Sequence, residues 1–307
     1  METAIELVEV CPRDGLQNES VMVSTADKVE LVKRLAAAGA KRIEAVSFVH
    51  PKAVPQMADA ESVMERLRGD NDLRAQGVRL SGLVLNRRGV DRALAAKVDE
   101  INFAVMASET FNRRNQGAGV SETMAELLAA ARTARAARVS FAATIGVAFG
   151  CPFEGETPQA RVVALAEELA DMGVDEIALA DTIGVGDPVA VEALVAAVRQ
   201  AAPGASIRGH FHNTRNTGLA NVYAALRAGV EVLDASVGGV GGCPFAPGAA
   251  GNIPTEDTVY MLHRMGVATG YDLGGLIATA GWLAGVLGKT LPGMVSKAGT
   301  FPATPDP

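Results

Sequence analysis

One joint recurs along this 307-residue chain and restricts what it can become. A stretch with helical spacing ends at a glycine, and four residues later an apolar residue sits inside a short strand-like run: Gly39 before Ile43, Gly173 before Ile177, Gly229 before Leu233. Glycine suits the left-handed position that closes a helix, so each occurrence reads as a helix handing over to a strand through a connection of constant length. Strand-like runs fall at residues 5–10, 42–48, 79–85, 100–106, 139–147, 176–180, 206–212 and 232–237, with helical spacing after them, as in 24–38, 157–172 and 188–201. Eight strands alternating regularly with helices predict a parallel sheet covered by helices. No glycine-rich dinucleotide fingerprint follows the first strand, which favours closure into an α/β (β/α)8 TIM barrel over an open doubly wound sheet. Residues 270–298 remain and predict extra C-terminal helices over the C-terminal rim. With no linker composition in between, residues 1–300 read as a single barrel domain and 301–307, rich in proline, as a disordered tail.

Composition narrows the function. The formal charge is −7, the pI is near 5.2 and no Lys/Arg run exceeds two, so neither a nucleic acid nor a membrane surface is an expected partner. An anionic ligand would need a local basic patch. Cys11, Cys151 and Cys243 are odd in number and far apart, which argues against a disulfide framework and for a reducing compartment. The first strand starts near residue 5, leaving no room for a signal peptide, and no 18-residue apolar run suggests a membrane span. A cytoplasmic enzyme is the expectation.

In a barrel of this kind, chemistry sits where strands end in their following loops, so functional residues should recur there. Those positions hold Arg13 and Asp14 after the first strand, Glu44 in the second, Asp181 after the sixth, His210 and His212 at the seventh, and Cys243 and Asn252 beyond the eighth. Two histidines two apart on a strand project to the same side. Alone, such a pair could equally be hydrogen-bonded within a core. With Asp14 and a further oxygen donor it becomes an N₂O₂ set that suits Mg²⁺ or Mn²⁺ with positions left for substrate, whereas a closed zinc site would favour thiolates. Arg13 either holds a developing enolate or pairs with Glu44, and both uses are compatible. Asp181 in Asp181-Thr-Ile-Gly184 either caps a helix or acts in catalysis. Cys243 lies in a stretch from Gly238 to Asn252 too rich in glycine and proline for a helix or packed strand; a rim loop carrying a proton-donating thiol and a simply buried cysteine are the two readings.

Five segments together resemble the 3-hydroxy-3-methylglutaryl-CoA lyase family of metal-dependent barrel enzymes. They are Val8-Glu-Val-Cys-Pro-Arg-Asp-Gly-Leu-Gln-Asn-Glu19, Ser47-Phe-Val-His-Pro-Lys-Ala-Val-Pro-Gln-Met-Ala-Asp59, Asp181-Thr-Ile-Gly-Val-Gly186, His210-x-His212 and Gly241-Gly-Cys-Pro-Phe245. The resemblance implies cleavage of a tertiary 3-hydroxyacyl-CoA between C2 and C3 into acetyl-CoA and a keto acid such as acetoacetate. It also implies that Asp14, His210, His212 and Asn252 hold the divalent cation, Mg²⁺ or Mn²⁺. Arg13 would stabilise the thioester enolate with Glu44 orienting it, Cys243 would help protonate that enolate, and His210 and Asp181 would move protons. A homo-oligomer, dimer or tetramer, is expected.

This chain departs from that pattern at Cys11 for glycine, His50 for serine, Ala53 for a bulky aromatic, and Asn213-Thr-Arg215 for Asp-Thr-Tyr. His50 and Ala53 leave room for a different acyl group. Lys52, Arg87, Arg88, Arg113 and Arg114 are rim candidates for the CoA phosphates or plain surface charges. A condensing synthase of the same superfamily usually carries a further C-terminal domain, and a CoA-ester sensor would have no need of Arg13, Asp14 and Cys243 together.

Overall fold

In the computed structural model, which describes residues 4–242 and 251–302, eight parallel strands close on themselves. They are β1 (Glu6–Glu9), β2 (Arg42–Ser47), β3 (Arg79–Val84), β4 (Glu100–Met106), β5 (Ser140–Gly146), β6 (Glu176–Asp181), β7 (Ser206–Phe211) and β8 (Val232–Ala235). Each pairs with the next, and the seam is the ladder of β1 on β8, with Glu6 opposite Val232 and Glu9 opposite Ala235. The ring helices are α1 (Thr25–Ala37), α2 (Ala60–Gly69), α3 (Arg87–Ala95), α4 (Val120–Ala137), α5 (Gln159–Asp171), α6 (Pro188–Ala201), α7 (Gly218–Arg227) and α8 (Thr255–Arg264), with α9 (Leu273–Leu287) after them. Among the described residues no helix is long and apolar enough to cross a membrane.

The glycine joints behave as the spacing predicts. Gly39 has φ +104°, and the amide of Ala40 donates to the carbonyl of Leu35 at 3.0 Å, the six-to-one bond of a Schellman cap. A Cβ at Gly39 would stand 2.3 Å from the carbonyl oxygen of Gly270, so this joint needs glycine for space as well as for φ.

Strand side chains alternate between two environments. Outward residues such as Leu7, Ile43, Leu80, Ile101, Phe103, Ile145, Ile177 and Leu233 pack on the ring helices in one continuous apolar core. The inward set is largely polar. Arg42 on β2 crosses the interior to Glu176 on β6 in a two-pronged pair at 2.6 and 3.0 Å, and meets Glu100 on β4 at 2.7 Å. Arg208 on β7 adds contacts at 3.2 Å to Glu176 and 3.4 Å to Asp234 on β8. Barrel interiors are more often filled by branched aliphatics; here Val8, Val10 and Val232 form a small apolar cluster beside an ionic plug.

The expected C-terminal helices are present and reach the rim by way of the barrel's flank. Helix α9 packs on α1 and α8, starting where the amide of Asp272 donates to the carbonyl of Ala38 at the lower end of α1. Above it, the amide of Gly293 bonds the carbonyl of Gly238, and Asp257 at the start of α8 accepts the amides of Met294 and Val295.

Candidate active site

Directly after β1 the chain winds into a single π-turn, Cys11–Gly15, with the amides of Arg13, Asp14 and Gly15 all directed at the carbonyl of Val10. Such turns are uncommon and often mark functional positions. Pro12 at the second position costs no hydrogen bond, because amides of the first turn have no partner within it. A Cβ on Gly15 would meet the Ser236 hydroxyl at 2.9 Å, so this turn is pressed against the end of β8. The turn aims Arg13 across the mouth. Its guanidinium grips Glu44 through Nε and Nη2 and Asp14 through Nη1. Behind Glu44, Asn102 on β4 donates to its other oxygen at 2.8 Å and Thr144 on β5 donates to Asn102 at 2.9 Å. The register of β2 shifts between Glu44 and Val46, a bulge directly beyond the gripped carboxylate.

On the opposite side of the mouth, strand alternation sends His210 and His212 inward and Phe211 into the outer core. The two Nε2 atoms face one another at 3.1 Å, and His210 Nδ1 lies 2.9 Å from Asp234 Oδ2. One ligating atom each from Asp14, His210 and His212 fall within 4.8 Å of one another. Asn252 is drawn alongside because residues 251–253 pair with the end of β7: Asn213 donates to Gly251 and Ile253 donates to Phe211. Its Nδ2 donates to Asp14 Oδ2 at 2.7 Å; a half-turn of the amide would present Oδ1 to the same space.

Electrostatics suit a cation. Burial works against the Asp14 carboxylate, yet Arg13 and the two imidazoles hold its pKa well below the usual range. His212 is pushed down to about 4 by burial and by its neighbour His210, so it stands neutral with one ring-nitrogen lone pair to offer. For His210 burial opposes the charged form, but the hydrogen bond and charge of Asp234 win and raise its pKa.

A cavity of about 470 Å³ opens above these groups. Arg13, Asp14, Asn102, Thr144, Thr182, His210, His212 and Asp234 form its polar floor, while Leu83, Leu85, Ala104, Met106 and Phe111 face it as an apolar wall near Ala53 and His50.

The other expected site residues fall elsewhere. Ala180 and Thr182 face the cavity, so Asp181 between them does not; its carboxylate accepts the amides of Val185 at 2.9 Å and Gly186 at 3.0 Å and so ties the turn before α6, while the helix cap itself is Asp187, which accepts the amides of Val189 and Ala190. Burial raises its pKa despite those bonds. Cys243 lies outside the described residues, and Gly242 before it lines the cavity. Lys52, Arg87, Arg88, Arg113 and Arg114 are exposed and none lines the cavity; Asn86, Asn115, Gln116, Glu122 and Glu126 do. The sequence reading passed over Asp234, Asn102 and Thr144. Each is a polar residue at an inward position of its strand, in step with the alternation of its apolar neighbours, and that pattern is the available signal.

The HMGL-like family model matches residues 4–282, nearly the whole described barrel. The (R)-citramalyl-CoA lyase of Chloroflexus aurantiacus is 45% identical over 305 residues, covering 96% of this chain and 95% of that protein. The crystal structure of the Bacillus subtilis HMG-CoA lyase superposes with a TM-score of 0.92 at 40% identity, over 96% of this chain and 98% of the other. An Acinetobacter baumannii HMG-CoA lyase in complex with coenzyme A and 3-methylmalate gives 0.91 at 38% identity, over 99% and 98%.

Proposed function

The chain belongs to the HMGL-like family and is a carbon–carbon lyase, and from that premise we propose that it cleaves a 3-hydroxyacyl-CoA between C2 and C3, with a divalent cation at Asp14, His210, His212 and Asn252. The observation that carries this reading is the convergence of the Asp14, His210 and His212 ligating atoms within 4.8 Å on the floor of a cavity that Arg13 also lines. Mixed nitrogen and oxygen donors with a water-accessible side fit Mg²⁺ or Mn²⁺. Once bound, such an ion polarises the substrate's C3 hydroxyl and carboxylate oxygens and lowers the cost of forming the alkoxide.

The residues of the chain do the rest. The C3 hydroxyl loses its proton to water in the cavity, because His210 would spend Nε2 on the ion and keeps Nδ1 against Asp234; the C3 carbonyl forms, and the C2–C3 bond breaks with its electron pair passing to the thioester as an enolate. Arg13, locked from behind by the Thr144–Asn102–Glu44 chain of hydrogen bonds, offers a fixed positive charge to that enolate oxygen. Protonation at C2 completes acetyl-CoA; the Cys243 thiol is the proposed donor, and Cys243→Ser turning over at the parental rate would remove it from this scheme. Asp181 acts by shaping the turn from Thr182 to Gly186 that places Thr182 on the floor.

Substrate identity rests on the acyl pocket. Ala53 and Ala104 are small, and the wall they share with Leu85 and Met106 accommodates an apolar C3 substituent. The test is a panel of thioesters, including 3-hydroxy-3-methylglutaryl-CoA, citramalyl-CoA and analogues with longer C3 groups, assayed for acetyl-CoA with Mg²⁺ or Mn²⁺. Release from at least one, lost on chelation, is the expected result. Binding of every thioester without release from any would mark a sensor and end this reading.

A further inference from the structure

Asp234 sits one strand away from His210, directly opposite it in the β7–β8 register, and is 5% exposed. Its Oδ2 is 2.9 Å from His210 Nδ1, and its Oδ1 lies 3.4 Å from Nε of Arg208, an ion pair too poorly aligned to count as a hydrogen bond. Arg208 is itself 1% exposed and precedes His210 by two residues, so both face the barrel axis from one strand. A guanidinium keeps its charge in proteins, so Arg208 supplies a fixed cation next to Asp234.

We propose that Asp234, held by Arg208, is a positioning residue that sets the tautomer of His210: a carboxylate has only acceptors, so Nδ1 carries the proton and the Nε2 lone pair is left pointing at Asp14 and His212. Metal-ligating histidines commonly donate their second nitrogen to a carboxylate in this way, which fixes ring orientation and raises ligand basicity. The two histidines therefore differ. His212 Nδ1 is buried without a hydrogen-bond partner among the described residues, so no carboxylate sets its tautomer; without the ion its Nε2 donates across 3.1 Å to the His210 Nε2 lone pair, a proton that ligation must displace. His210 is the prepared ligand, and His212 adapts to it.

This inference rests on the proposed cation site, and its test separates the two. Nitrogen-15 spectra of the metal-free chain at pH 8.5, assigned with His210→Gln, should show His210 with a protonated Nδ1 and a bare Nε2. Asp234→Asn should bind Mn²⁺ about 10–100-fold more weakly by calorimetry, with a mixed His210 tautomer and unchanged circular dichroism. Because Asp234→Asn strands the Arg208 charge, Arg208→Gln/Asp234→Asn is the second variant. Equal weakening there assigns the effect to the carboxylate rather than to charge balance. Parental Mn²⁺ affinity in both variants, or a protonated Nε2 in the parent chain, overturns the proposal. If the parent chain bound no Mn²⁺, the cation site would fail, while the nitrogen assignment would still decide this inference.

Discussion

The barrel holds two assemblies of the same residue types at different heights, and they meet different ends. In the lower plug, Arg42 and Arg208 face Glu100 and Glu176, and the carboxylates are met by guanidiniums on several sides. At the rim, Arg13 faces both Glu44 and Asp14, with Asp234 drawn in from below. Counting Glu6 and Arg79 at the lower edge of the plug, four guanidiniums face six carboxylates, so with neutral imidazoles these groups are short of two positive charges. The shortage is concentrated where lone pairs converge and a cavity opens. A buried charge cluster becomes a site for an ion where its own countercharges run out, and a strut where they suffice.

A third region shows the remaining outcome. Glu9 is fully buried between β1 and α8, and its oxygens accept the amides of Cys11 and Val237 and the hydroxyl of Thr255, with no guanidinium paired to it among the described residues. Burial pushes its pKa up to about 8, and Glu256 nearby is likewise pushed to about 7. Where the plug has arginine and the rim has the proposed cation site, burial here shifts the acids toward their protonated form.

Three experiments press on this contrast. The largest effect is expected from His212→Ala, which should lower Mn²⁺ affinity by at least about 100-fold and turnover by about 10³-fold, roughly 4 kcal/mol of transition-state stabilisation, with little change in unfolding temperature. Retained metal stoichiometry would mean the rim is not the ion's place. Next, Arg42→Met should destabilise the fold by about 3–5 kcal/mol in denaturant titrations, since it leaves Glu176 and Glu100 short of a partner, yet leave Mn²⁺ affinity of the folded protein near the parental value. Collapse of metal binding in a still-folded variant would show that the plug and the rim are one unit.

The smallest effect belongs to Glu9→Gln. A carboxyl whose pKa is 4.5 when unfolded and about 8 when folded stabilises fully below the first value, and that contribution is lost as pH rises through the second. The variant should therefore show a shallower decline in stability between pH 5 and 8, and at pH 9 should exceed the parent by on the order of 1–3 kcal/mol. Parallel stability profiles across this window would mean that Glu9 is charged in the fold.

How far the sequence could be read follows the range of the forces involved. Strand positions and the glycine joints are set by neighbours within a few residues, and the eight runs match the observed strands to within one or two residues at each end. The convergence of Asp14 with His210 and His212 was readable because closure follows from eight strands and rim loops carry function. Alternation alone separates Asp181 from the cavity, but its first and last turn-forming bonds depend on the backbone from Thr182 to Gly186, which composition does not specify. The pairings of Arg42, Glu100, Glu176 and Arg208 join strands that are remote in sequence and cross the interior, so they exist only after closure. The route of α9 up the flank is decided by the groove between α1 and α8, which no local pattern describes.

The ladder of β1 on β8 has a consequence for how the protein comes into being. Position 14 leaves the ribosome almost two hundred residues before positions 210 and 212, and among the described residues these two histidines are the partners its carboxylate converges with. On the function proposed above, a half-made polypeptide would neither hold a cation nor cleave a thioester; competence would arrive late, in one step, when synthesis has delivered the last stave.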